Sequence, residues 1–169
     1  MKTFSSLALK TALIFPLAMS LASAENWPTY RLNNFRSGDT KETITLPLKK
    51  QWSVQNQAPE QAWTGPSKWD AFAGNDGLQS MRNFDPCYFV TTTDDKAYFS
   101  SSADNAVHCI DPKNGKELWT FFTEAAVRFP PTIDNGLAIF GSDDGYVYAV
   151  DAETGEQKWK FLAAPRDHR

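Results

Sequence analysis

Residues 111–121 read Asp-Pro-Lys-Asn-Gly-Lys-Glu-Leu-Trp-Thr-Phe, and residues 151–161 read Asp-Ala-Glu-Thr-Gly-Glu-Gln-Lys-Trp-Lys-Phe. Asp111, Gly115, Trp119 and Phe121 thus return 40 positions on as Asp151, Gly155, Trp159 and Phe161. Without a gap, the same offset pairs Phe89 with Phe129, Thr92 with Thr132, Asp94 with Asp134, Ser102 with Ser142, Asp104 with Asp144 and Val107 with Val147. Agreement at so many positions in one register marks an internal repeat, and a period of this length signals a repeat architecture.

Turn chemistry divides each unit. Asp94-Asp95-Lys96 or Asp134-Asn135-Gly136 comes first, then Asp104-Asn105 or Asp143-Asp144-Gly145, and last Asn114-Gly115 or Thr154-Gly155. Three turns separate four strands. The spacing predicts strands over 86–92, 96–101, 106–111 and 117–122, with a second set 40 residues later. The run Tyr146-Val147-Tyr148-Ala149-Val150 is apolar on both faces of a strand, as befits a sheet covered on both sides. Four short antiparallel strands buried on both faces describe a propeller blade. Asp111 and Asp151 are suited to accept turn amides, Gly115 and Gly155 to take a positive φ, and Trp119 and Trp159 to pack between neighbouring blades.

Asp151-Ala-Glu-Thr-Gly155-Glu-Gln-Lys-Trp159 resembles the pyrroloquinoline quinone (PQQ) enzyme repeat, whose blades carry an aspartate, a Thr-Gly-Lys-like turn and a tryptophan. Asn114 replaces the turn threonine in the first unit, and Glu156 the lysine in the second. Trp27-Pro28-Thr29-Tyr30-Arg31, Arg36-Ser37-Gly38 and Gln51-Trp52-Ser53-Val54 resemble the leader and closing strand that precede the first blade in exported members. The resemblance implies an all-β, partial β-propeller with two four-stranded antiparallel PQQ-like blades, residues 84–123 and 124–163, plus an N-terminal closing strand at Trp52 within a leader of residues 25–54. Propellers have about 4 to 8 blades, so two units imply a longer parent, with residues 164–169 opening its remainder.

The first residues read as a secretory signal. Lys2 and Lys10 supply positive charge, residues 11–21 an apolar stretch, and Ala22-Ser23-Ala24 a small-residue cleavage pattern. The mature chain is expected to start at Glu25, where bacterial lipoproteins carry a cysteine, and to be periplasmic or extracellular. The apolar stretch falls short of the roughly 20 residues of a spanning helix. A net charge of -3 and a pI near 5.4 give no electrostatic basis for binding nucleic acid.

Candidate chemistry is sparse. Cys87 and Cys109 fall on the first and third strands of one blade, about two strand spacings or roughly 9.6 Å apart. That is beyond the roughly 7 Å limit of a disulfide, so both read as buried thiols, with a single bridge, which an exported location would allow, as the alternative. His108 and His168 lack neighbours at metal-ligand spacing, and His108 reads as a packed or solvent-facing strand residue. Asp143-Asp144-Gly145 reads as a turn rather than a calcium loop. Arg31 and Arg36 are expected to pin the leader onto the propeller by charge pairing. Residues 55–83 form a long segment outside the repeat, and Trp63, Trp69, Phe72 and Arg82 within it are the candidate recognition surface for a sugar, peptide or protein, or else a cover for the blade faces.

No catalytic, cofactor or metal residue is assigned. The first functional expectation is a non-catalytic exported binding or scaffold module for a protein or surface polymer, similar in repeat type to the propeller subunit of the outer-membrane protein assembly machinery. The second is the N-terminal part of a quinone-dependent alcohol or sugar dehydrogenase, with PQQ as cofactor. Resemblance to those enzymes implies adjacent cysteines, a calcium held by Glu and Asn and a catalytic aspartate, yet Cys87 and Cys109 are not adjacent. The third is the propeller arm of a larger multidomain enzyme.

Overall fold

The computed structural model describes residues 25–56, 58 and 89–164. Two four-stranded antiparallel sheets account for the regular structure of these residues, and none of them is helical. The first blade contains β1 (Val90–Thr92), β2 (Ala97–Ser101), β3 (Ala106–Ile110) and β4 (Glu117–Phe122); the second contains β5 (Thr132–Asp134), β6 (Leu137–Gly141), β7 (Tyr146–Asp151) and β8 (Gln157–Leu162). Each sheet runs in chain order, every strand pairing with the next. The chain is therefore a partial β-propeller.

The turns follow their residues. Asn135 and Gly136, at φ 47° and 76°, close the β5–β6 hairpin between paired Asp134 and Leu137, the left-handed pair a two-residue turn requires. In the β3–β4 turn Asp111 accepts the amide of Lys113 at 2.8 Å and the side-chain amide of Asn114 at 2.7 Å. Asp151 does the same work in blade 2 with the amides of Glu153 and Thr154, at 2.9 and 3.0 Å. β5 begins at Thr132 rather than spanning 126–132, because Pro130 and Pro131 have no N–H to give a ladder. Val127, just before them, is fully buried instead.

Strand registers correct the gapless repeat. Ala97 faces Ile110 in blade 1, and Ala138 faces Val150 in blade 2. β3 and β4 thus recur at an offset of 40, but β1 and β2 recur at 41. The β2–β3 loop takes up the difference, with residues 102–105 between the Ser101–Ala106 pair and only 143–145 between Ser142 and Tyr146. Phe99 therefore corresponds to Phe140, and Thr91 to Thr132.

One face of blade 1, with Tyr98, Val107, Cys109 and Trp119, packs on Phe140, Tyr148 and Val150 of blade 2 to form the main core. The Trp119 ring lies against Gly155, where an added Cβ would come within 2.8 Å of it, and its indole N–H donates to the Ala152 carbonyl at 3.2 Å. Trp52 repeats this arrangement one blade earlier. It lies against Gly115, where a Cβ would approach to 2.7 Å, and its N–H donates to the Pro112 carbonyl at 2.8 Å. Trp52 thus takes the closing tryptophan's place on blade 1, although residues 51–56 pair with no strand among the described residues. Trp159 holds the same register position as Trp119, opposite Ala149 as Trp119 is opposite Cys109. It is 41% exposed against 9% for Trp119, so the clamp expected at both tryptophans forms at Trp119 alone among the described residues.

The leader runs along the innermost strands. Trp27 exchanges two backbone hydrogen bonds with Thr92, and Ile133 N–H donates to the Pro28 carbonyl at 2.7 Å, so the segment ties both blades together. Among the described residues, these backbone bonds and a 2.9 Å hydroxyl contact between Thr29 and Thr132 tie the leader to the blades, and no ion pair of Arg31 or Arg36 does so. Arg36 donates within the leader, to the Tyr30 carbonyl at 2.7 Å and the Thr29 hydroxyl at 3.2 Å.

Candidate binding site

The richest polar cluster of the described residues centres on His108. The ring is buried, stacked on Phe99 at 4.8 Å, with Nε2 3.0 Å from Asp104 Oδ2 and Nδ1 3.0 Å from Glu117 Oε2. With both nitrogens protonated, each N–H donates to a carboxylate. The His108 bond holds the Glu117 carboxyl below its ordinary range, with Thr120 adding to the effect. A bulge between Cys109 and Ile110 sets Glu117 opposite Ile110, on the face that carries His108. Sequence spacing gave no hint of these carboxylate neighbours, since they meet His108 only through that bulge and the β2–β3 loop.

Blade 2 repeats the device with a different residue. Tyr148, which corresponds to His108, donates its hydroxyl to Asp144 Oδ2 at 2.7 Å, and burial and that carboxylate raise its pKa. Asp144 also accepts the Tyr146 amide at 2.9 Å, while Asp143 pairs with Arg128 at 2.7 Å. These turn aspartates hold their own blade together. Around His108 the two carboxylates meet opposite ring nitrogens and so do not converge on one ion, and no metal-holding group of three or more His, Cys, Asp or Glu occurs among the described residues.

Beside this cluster lies a cleft of about 650 Å³, lined by Trp52, Val54, Val90, Phe99 and Ile110. A recess of about 310 Å³ opens next to the leader between Trp27, Tyr30, Arg31 and Phe89. Lys96 joins the blades, with its ammonium 2.9 Å from both Asp95 and Glu153. Burial opposes its charge, and the two carboxylates outweigh that to leave the pKa raised. The candidate recognition residues Trp63, Trp69, Phe72 and Arg82 lie outside the described residues, as do Cys87 and His168.

The family described as outer membrane protein assembly factor BamB matches residues 49–168, well over half of the chain. The chain belongs to this PQQ-repeat family. BamB-family membership and the two sheets identify the same architecture. Among solved structures, quinohemoprotein alcohol dehydrogenase from Comamonas testosteroni is 18% identical with a TM-score of 0.50, covering 84% of this chain and 20% of that one. BamB from Moraxella catarrhalis is 16% identical with a TM-score of 0.38, covering 41% of this chain and 21% of that one. The quinohemoprotein alcohol dehydrogenase ADHIIG of Pseudomonas putida HK5 is 22% identical with a TM-score of 0.42, covering 47% and 13% respectively. The chain spans about a fifth or less of the length of these proteins. A comparison with curated proteins found no match.

Two of these similar proteins are quinone enzymes, but the described residues do not fit the quinone. Cys109 is fully buried in the core between the blades, and burial pushes its thiol up to about 12. It stands between His108 and Ile110 with no vicinal partner. The carboxylates that act on it, Glu153 and Asp95, are both paired with Lys96.

Proposed function

We propose that this BamB-family chain is a non-catalytic propeller module of the cell envelope that binds a protein partner and contributes to the assembly of outer-membrane proteins. The observation that carries this reading is the match of residues 49–168 to a family described as an outer membrane protein assembly factor. Two features support it. The polar clusters built from Asp104, His108 and Glu117, and from Asp144 and Tyr148, are closed internal networks. The apolar surface carrying Trp159 and Phe161, 41% and 65% exposed, has the character of a surface that is covered in an assembly. On this reading residues 1–24 direct export, and the mature module begins at Glu25.

Removing the gene should lower the amount of folded outer-membrane β-barrel proteins, and re-expression should restore it irrespective of added PQQ. The purified protein, supplied with PQQ and calcium, should show neither quinone absorbance nor dye-linked oxidation of alcohols or sugars. A quinone spectrum with dye reduction, or unchanged outer-membrane protein levels in the deletion, would overturn the proposal.

A further inference from the structure

The array around His108 draws on three elements besides its own strand. Asp104 Oδ2, from the β2–β3 loop, stands 3.0 Å from Nε2; Glu117 Oε2 and the Thr120 hydroxyl, from β4, stand 3.0 and 3.2 Å from Nδ1; and Phe99 of β2 stacks on the ring. Nε2 thus has one partner, whereas Nδ1 has two of different chemistry. An ionised carboxylate can only accept a hydrogen bond, but a hydroxyl can also donate one. Trp52, Gln55 and Asn56, from the segment beside this face of blade 1, bring no ionisable group. Asp104 and Glu117 are therefore the charged groups that face the ring among the described residues.

Blade 2 shows that the fold does not require this array. The aspartate is kept, as Asp144, but Tyr148 stands at the position of His108, Gln157 at that of Glu117 and Lys160 at that of Thr120. Tyr148 donates to Asp144 at 2.7 Å, and burial and that carboxylate raise its pKa above the ordinary tyrosine value. Its proton stays in place through the neutral range. An imidazole is the side chain that ordinarily changes charge between about pH 5 and 8.

With its charge, the His108 ring has two N–H groups, and each carboxylate accepts one. Without it, the ring has one N–H and one lone pair, and a lone pair 3.0 Å from a carboxylate oxygen is repelled. Nδ1 has a replacement partner at hand, since the Thr120 hydroxyl can turn and donate to it, while Nε2 has none. The proton therefore leaves from Nδ1, Asp104 keeps its bond, and the Glu117 side chain, already 58% exposed, swings into water.

We propose that His108 is a pH-operated clasp in blade 1, which holds Glu117 while the ring is charged and releases it when the ring is neutral, the Thr120 hydroxyl taking its place. Glu117 begins β4 two residues after Gly115, against which Trp52 rests, so the release changes the charge beside that contact. In an exported module, outside the buffered cytoplasm, the clasp ties this charge to the surrounding pH. Export supplies the setting, whereas the clasp stands on the array alone.

The test follows the imidazole nitrogens of the full chain by NMR from about pH 5 to about pH 9, a range that brackets the ordinary imidazole value. His168→Gln leaves His108 as the sole histidine. The ring should lose its Nδ1 proton and keep Nε2–H, and the Glu117 carboxyl carbon, assigned by its loss in Glu117→Gln, should shift over the same pH range. Thr120→Val, which removes the replacement donor, should leave the neutral ring as a mixture of both tautomers. His108→Tyr, which copies blade 2, should abolish the Glu117 shift, and His108→Gln serves if the tyrosine variant is poorly folded by circular dichroism. A group bonded in its charged form stabilises the fold on the side of its titration where it is charged, here the acid side. Between the same limits the folding equilibrium constant of the parent should therefore fall about two- to fivefold more than that of the His108 variant.

A neutral ring protonated at Nδ1 overturns the proposal. So does a Glu117 signal that stays constant while His108 titrates, or a ring that keeps one protonation state across the whole range.

Discussion

Trp119 and Trp159 share a register position, a sequence context and a preceding turn, yet only one of them is buried by a neighbouring blade in the described structure. A large buried aromatic replaced by alanine costs about 3–5 kcal/mol, because the lost transfer energy is compounded by the cavity left behind. Trp119 also loses its donor to the Ala152 carbonyl, which then keeps only the Tyr98 hydroxyl at 3.2 Å. Trp119→Ala should therefore lower stability by about 3–5 kcal/mol. Trp159→Ala, at a ring that is 41% exposed, should cost roughly 1 kcal/mol. Urea unfolding of the two variants checks this, and equal losses would mean that Trp159 is seated after all. The repeat identified both tryptophans as structural from sequence, but it could not separate them, since equivalence along the chain says nothing about which faces have neighbours.

At the scale of strands and turns, much was legible because each turn residue acts locally. Gly115, Gly136, Gly145 and Gly155 all take the positive φ their turns demand, and six of the eight strands lie within a residue or so of their predicted positions. β5 starts only at Thr132, because of the proline pair before it, and the first residues expected in β1, 86–88, lie outside the described residues. The register was less legible, since lengthening one loop by a residue is cheap and leaves the periodicity of each strand intact. The carboxylates around His108 were hidden for the same reason: their approach depends on a bulge and a loop, neither of which has a spacing signature. Their arrangement has a consequence for acid stability. Glu117 sits below its ordinary value of 4.5 in the folded chain, chiefly through His108, so its contribution is fully present above that value and is lost as pH falls through the lower folded value. Glu117→Gln should flatten part of the acid limb of a stability profile taken from about pH 7 to about pH 3, leaving the share due to Asp95 and Asp151, which are also lowered. An unchanged profile would remove the His108–Glu117 bond from the account.

Across the whole molecule, the sequence was sufficient for the propeller class because a blade pair is a nearest-neighbour object: each sheet needs only the next one to define it. The recognition residues named from sequence, Trp63, Trp69, Phe72 and Arg82, belong to a segment outside the repeat, where no such internal copy guides interpretation. The same nearest-neighbour logic makes the core between the blades the point at which cooperativity can be measured. Cys109 lies there, fully buried beside Trp119 and Val150, and its thiol is pushed up to about 12 by burial. The thiolate is the reactive form, so labelling at mildly alkaline pH requires the blades to part. With Cys87→Ser removing the other thiol, Cys109 should react at least roughly a thousandfold more slowly in the native chain than in urea, as the small unfolded population of a stable domain dictates. Labelling should accelerate in step with loss of the β-sheet signal if the two blades open as one unit. Rapid labelling of Cys109 while both sheets remain intact would instead show the blades separating as independent bodies, joined by little more than the leader strands at Trp27 and Pro28.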